Sequence, residues 1–151
     1  MSLQSTLAAG QAAWLDIATD TCRVTRAAVS GDVGFVPQVI NPTTLQYPTQ
    51  ARVTVYQGPC RIQVKVDINS NVVETTAGER EWTYLVAQLQ VPVTNPPGVT
   101  GNVANIDVDH VCEVLTSPYD GTLVGSLFNI MGPYHKSQAV YRRFRIREVV
   151  A

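Results

Sequence analysis

Residues 60–66 read Cys-Arg-Ile-Gln-Val-Lys-Val, an alternation with no interruption. In an extended strand successive side chains point to opposite faces. Cys60, Ile62, Val64 and Val66 therefore share one face, and Arg61, Gln63 and Lys65 share the other. One face meets a core; the other meets water or a neighbour. The preceding stretch Arg52-Val-Thr-Val-Tyr56 alternates in the same way, and Gln57-Gly-Pro59 between them predicts a turn. Val, Ile and Thr supply 45 of the 151 residues, a β-branched excess that suits strands better than helices. Further strands are expected at 21–26, 81–91, 106–114, 122–131 and 139–149, with turns at 95–98, 117–121 and 132–133. Apolar residues on both faces of 81–91 suggest burial on both sides for part of its length. Six to seven short strands in a chain of this length predict one domain, 1–151, mainly β and built as a small barrel or sandwich.

One helix stands apart from this pattern. Leu3, Leu7, Trp14 and Ala18 fall on one face at 3.6 residues per turn, Ser2 can cap the start, and Asp20 and Thr21 end it. Ser5 stands where a reciprocal capping box needs Glu or Gln, and Gly10 weakens the helix by about 1 kcal/mol relative to Ala. The helix, within 1–20, must therefore rely on packing. Two excursions interrupt the strands, about 27–50 and 67–80. The first is broken by Gly31, Gly34, Pro37, Pro42 and Pro48, and the second is polar. Connections this long in a compact domain are usually functional or mobile.

Several function classes find no footing. The sequence has no phosphate-binding G-x-x-x-x-G-K-[ST], no G-x-S-x-G nucleophile elbow and no H-E-x-x-H zinc motif. His110 and His135 are isolated from each other. His110 stands near Asp107, Asp109 and Cys112, but a strand would set it beside Cys112 without a third group to orient a base. No catalytic residue, metal ligand or cofactor is expected. No secretory signal is visible, and no stretch is apolar for the 18 or so residues that a membrane helix needs, so no membrane partner is expected. Cys22, Cys60 and Cys112 sit in strand-like runs without C-x-x-C spacing, which favours buried structural thiols, with a Cys22–Cys60 bond as the alternative.

Charge is distributed unevenly. The net charge of −1 is a cancellation: residues 136–151 carry +4 and residues 1–135 carry −5. In the closing strand Tyr141, Arg143, Arg145 and Arg147 share one face, while Arg142, Phe144 and Ile146 share the other. Such a stripe either faces a polyanion, whose counterions Arg and Lys displace, or meets acidic groups of its own or a neighbouring chain.

Four segments in order carry a resemblance. Thr-Cys-Arg-Val-Thr-Arg (21–26) follows a short helix, and Val-Tyr-Gln-Gly-Pro-Cys-Arg-Ile-Gln (55–63) follows a variable loop. Leu123-Val-Gly125 begins a strand ending at Gly132-Pro133, and the Arg-rich strand ends in Arg147-Glu-Val-Val150. The chain resembles the head-to-tail stopper, or head-closure, proteins of tailed bacteriophages, in the form found in phages of actinobacteria. That resemblance implies a small antiparallel β-barrel with an N-terminal helix, assembled with itself as a ring of 12 or 6 copies in the virion neck after synthesis in the host cytoplasm. Its implied partners are the portal or adaptor above, the tail terminator below, and packaged double-stranded DNA held without sequence specificity. It implies no reaction and no cofactor. Arg142, Arg143, Arg145 and Arg147 become candidate channel or interface residues. Asn69, Asn71, Glu74, Glu79 and Arg80 become a candidate channel or docking loop. A tail terminator or other tail-ring protein is the nearest alternative. A monomeric OB-like nucleic-acid-binding barrel, with Tyr141 and Phe144 as stacking residues, is a second.

Overall fold

The computed structural model describes residues 2–65, 86–134 and 139–149. It is mainly β, with one α-helix among the described residues, at the N-terminus. Helix α1 (Leu3–Ile17) is followed by strands β1 (Asp20–Ala27), β2 (Arg52–Lys65), β3 (Val86–Pro92), β4 (Thr100–Gly101), β5 (Val111–Thr116), β6 (Leu127–Tyr134) and β7 (Tyr141–Glu148). All pairings are antiparallel, in the order β1-β5-β6-β7-β3-β2, and a further β1–β2 pairing closes these six strands into a barrel. The two-residue β4 adds to β2 from outside the ring. Closure removes the sheet edges that would otherwise invite strand addition.

The alternation expected at 52–56 breaks at a bulge: Val55 and Tyr56 are both buried, and the pairing with β1 shifts register between Val24 and Thr25. Gln57-Gly-Pro59 is not a hairpin. It lies within one continuous 14-residue strand, β2, whose first part pairs with β1 as far as Cys60 and whose later part, from Arg61, pairs with β3. Tyr56 donates its hydroxyl hydrogen to the Pro59 carbonyl at 2.8 Å. A Cβ on Gly58 would stand 2.6 Å from Val99 Cγ1 and 2.8 Å from the Tyr56 hydroxyl, so only glycine fits. Glycine and proline here mark a tight approach on a barrel wall rather than a chain reversal. Gly132-Pro133 likewise belongs to β6, beside a register shift at Met131. Two expected strands start later than the sequence suggests. Residues 106–110 form a turn with Asp109 at φ 66°, and residues 121–123 form a 3-10 turn capped by the Asp120 carboxylate. Of the expected strand 81–91, residues 86–91 are described and form most of β3.

Each of the six barrel strands contributes residues to the core, β2 through Tyr56 and Cys60. Cys22 and Val24 come from β1, Leu89 and Val91 from β3, Val114 from β5, Ile130 from β6, and Phe144 and Ile146 from β7, all buried in one cluster. Helix α1 lies against the outside. Its Trp14 is buried, stacked on Tyr141 of β7 with ring centroids 5.7 Å apart, and Gly10 sits where a Cβ would be 3.0 Å from Val140 Cγ2. The docked face is therefore Leu7, Gly10, Trp14 and Ala18. Leu3, expected on it, is exposed, and the helix ends at Ile17 rather than at Asp20. Among the described residues no helix is long and apolar enough to cross a membrane.

Candidate functional site

Strand β7 carries the feature that the sequence singles out. Phe144 and Ile146 point into the core, which turns Tyr141, Arg143, Arg145 and Arg147 to the outer wall. The register fixes their neighbours. Arg143 lies between Gln90 on β3 and Tyr134 on β6; Arg145 lies between Gln88 and Gly132; Arg147 lies opposite Asn129. None of these neighbours is acidic. The ion pairs among the described residues lie elsewhere, Arg23–Glu113 at 2.7 Å and Arg26–Asp32 at 2.5 Å. Arg143 does have a partner of another kind, its guanidinium carbon standing 5.9 Å from the Tyr141 ring centroid. Arg145 and Arg147 are exposed.

Arg142 does not belong to this stripe. It shares the alternation of Phe144 and Ile146, pairs with Val91 of β3, and is half-buried where it lines a cleft between the helix and the barrel mouth, beside Leu7 and Gln11. The four arginines thus divide into an outer row of three and one at the rim. The proposed loop residues Asn69, Asn71, Glu74, Glu79 and Arg80 lie outside the described residues, as does His135.

A family model matches residues 10–147, from the middle of α1 to the end of β7. The chain belongs to the DUF6093 family, a family of unknown function. No curated protein and no solved structure matches it significantly.

Two buried clusters in this DUF6093 chain bear on what chemistry it can do. Cys22, Cys60 and Cys112 come from three different strands and meet inside the barrel as free thiols with 0% exposure. Hydrogen bonds from Cys112 and Cys60, then burial, push the Cys22 thiol well above its ordinary range. A thiol so placed stays protonated, and the nucleophile and metal ligand is the thiolate. Among the described residues no group of three or more His, Cys, Asp or Glu side chains is placed to hold a metal. His110 precedes β5 rather than lying within it. Its Nδ1 accepts the Asp107 N–H at 3.1 Å, and burial, the largest influence, pushes its pKa down. By accepting that N–H the imidazole braces the turn before β5.

The second cluster escaped sequence reasoning. Gln88 and Gln90 face the outer wall yet are buried, Gln90 to 1% exposure. Trp14 Nε1 donates to Gln90 Oε1 at 3.3 Å, and Gln90 Nε2 donates to Gln63 at 2.8 Å and to Gln88 at 3.2 Å. The helix is thereby tied to β3 and β2 by amides beside the arginine row. A signal was present: Ala87, Leu89 and Val91 alternate with Gln88 and Gln90, which marks the amides as the outer face of a strand otherwise apolar on both sides.

Proposed function

We propose that this DUF6093 chain is a structural subunit of a bacteriophage neck. In this role copies form a ring between portal or adaptor and tail, continue the DNA channel, retain the packaged genome and present the surface to which the tail docks. The observation that carries it is the arginine row. Arg143, Arg145 and Arg147 stand in line on one strand with uncharged cross-strand neighbours and no ion pair to a described carboxylate. Such a row is left with a net positive field, the arrangement that attracts a polyanion or a negatively charged neighbour. A closed barrel with one N-terminal helix agrees with the architecture that the four-segment resemblance implies.

Repetition amplifies the effect. In a ring of twelve, the outer-row arginines would number about 36, enough for strong and strongly salt-dependent attraction to DNA phosphates. The chain then acts by shape and charge, with no catalytic step and no cofactor. The OB-like alternative loses its stacking residues: Phe144 is inside the core, and Tyr141 is engaged by Trp14 and Arg143. A tail terminator would bring more helix against its sheet than α1, the one α-helix among the described residues, provides.

Charge reversal tests the proposal. The double substitution Arg143→Glu and Arg145→Glu lies on the outer wall and leaves the core intact. Particles carrying it are expected to lose packaged DNA or fail to build the neck ring. Unchanged genome retention together with unchanged ring assembly would sink the assignment of this face.

A further inference from the structure

We propose that residues 28–51 form a clasp that docks on a second copy of the chain, in the groove on the outer wall of β1, β5 and β6. This deepens the ring reading above and rests on it for the identity of the occupant.

The segment is an ordered arm. Its root is closed by the Ala28 N–H donating to the Ala51 carbonyl at 2.9 Å. Further out, Val36 N–H donates to Gln50 Oε1 at 3.1 Å while Gln50 Nε2 donates back to the Val36 carbonyl. Gln38 Nε2 reaches the Pro48 carbonyl at 3.3 Å. The tip is built on Asn41, whose N–H donates to the Gln46 carbonyl at 2.9 Å and whose carbonyl accepts the Leu45 N–H at 2.8 Å. Polar groups thus hold the two limbs to each other, and the apolar side chains are turned away. Val33 is 96% exposed and Leu45 77%, with Val39, Ile40 and Tyr47 also exposed.

Three features make this arm unlike an ordinary solvated loop. Residues 33–51 contain no charged side chain at all. Leu45 sits at φ 57°, in the left-handed region that favours glycine, so a large apolar side chain is displayed where glycine or asparagine would relieve the backbone. Exposed apolar residues gathered on one element mark an interaction surface, whereas scattered ones do not. At 24 residues the arm also has the 20–30 residues that one side of a standard stable interface uses.

The same chain carries a receiver. A shallow groove on the outer wall is lined by Val111 of β5, Leu127 of β6 and Val149 beyond β7, with no arm residue in it. Its charges are largely spent on each other, since Arg23 and Glu113 pair across it and Arg52 is hydrogen-bonded to the Thr25 carbonyl at 2.9 Å. The apolar wall of the groove, with one net positive charge at Arg52, faces an arm that is apolar at its surface and uncharged from residue 33 onward. An arm on one surface and a groove on another make a heterologous contact, which closes into a ring when the rotation allows. Asn129, which lines the groove, is also the cross-strand neighbour of Arg147, so docking here would leave the arginine row on the adjoining face.

The test places a photoactivatable benzophenone amino acid at Tyr47 in the full chain, mixes light and 15N-labelled protein at millimolar concentration, and maps the crosslinks by mass spectrometry. The expected result is light–heavy crosslinks to peptides containing Val111 or Leu127, reduced at least tenfold by Leu127→Asp. That exposed substitution is checked for an unchanged melting curve, and Asn129→Asp serves as a second variant on the same wall. Crosslinks confined to one chain, to other surfaces, or absent at this concentration would each overturn the clasp. Neck rings still present by electron microscopy in particles carrying Leu45→Ser and Tyr47→Ser would also overturn it, while leaving the ring reading standing. Absence of the unmodified chain from necks would remove the ring reading instead.

Discussion

Gln90 shows how much one side chain can hold. Its amide satisfies Trp14, Gln63 and Gln88 together, and no buried side-chain polar atom among the described residues lacks a partner. Gln90→Leu keeps the volume and strands three groups, so it should lower unfolding stability by about 1–3 kcal/mol. Urea denaturation followed by tryptophan fluorescence measures this, and an unchanged midpoint would mean that the amides find other partners. Asp32 works at the root of the arm. The Arg26 guanidinium, then the Val29 N–H, holds its carboxyl at about 2, below the ordinary carboxylate value. A depressed carboxylate contributes stability that is fully present above its ordinary range and is lost as pH falls through the folded value. A carboxyl-carbon NMR titration should find the Asp32 midpoint near 2, and Arg26→Gln should raise it toward the ordinary carboxylate value, with the Val29 N–H still holding it below.

At the scale of elements, alternation was legible and punctuation was not. Strand β2 could be read from Cys60 to Lys65, and so could the two faces of β7, because a period of two is imposed by the backbone itself. Gly58-Pro59 and Gly132-Pro133 read as turns locally but sit inside strands, because what decides their role is a distant contact: Val99 against Gly58, and β7 against the shifted register of β6. Helix α1 was legible from its period, whereas Leu3 was assigned to the docked face because nothing local says where the barrel wall ends. The arginine row was readable down to which three residues share a face. The absence of carboxylate neighbours was not, since cross-strand pairing is set by topology. The order within residues 28–51 was also hidden, because it comes from amide-to-backbone bonds that leave no periodicity. Gly101 makes the dependence on distant contacts testable. It holds φ 76° in β4, where a Cβ would fall 2.0 Å from the Val55 carbonyl oxygen. Gly101→Ala should destabilise the protein by about 2 kcal/mol or more, the left-handed strain adding to displacement of β4 from β2. A thermal melt within a degree of the parent would contradict this.

For the whole molecule, low charge takes on a physical meaning. Charged residues are only 15% of the chain, and exposed apolar side chains stand on the arm and on α1. A lone domain gains nothing from such a surface, but a subunit with neighbours on several sides does. The positive closing strand carries α1 at its Tyr141 end, where Trp14 stacks, and leaves Arg145 and Arg147 exposed beyond it. Electron microscopy of phage particles whose copy of this chain carries a small C-terminal epitope, decorated with a matching antibody fragment, tests the central claim most directly. The account predicts label in a ring at the junction of head and tail, in particles that retain their DNA. Label confined to the tail tip or the capsid shell, or particles devoid of the chain, would contradict it.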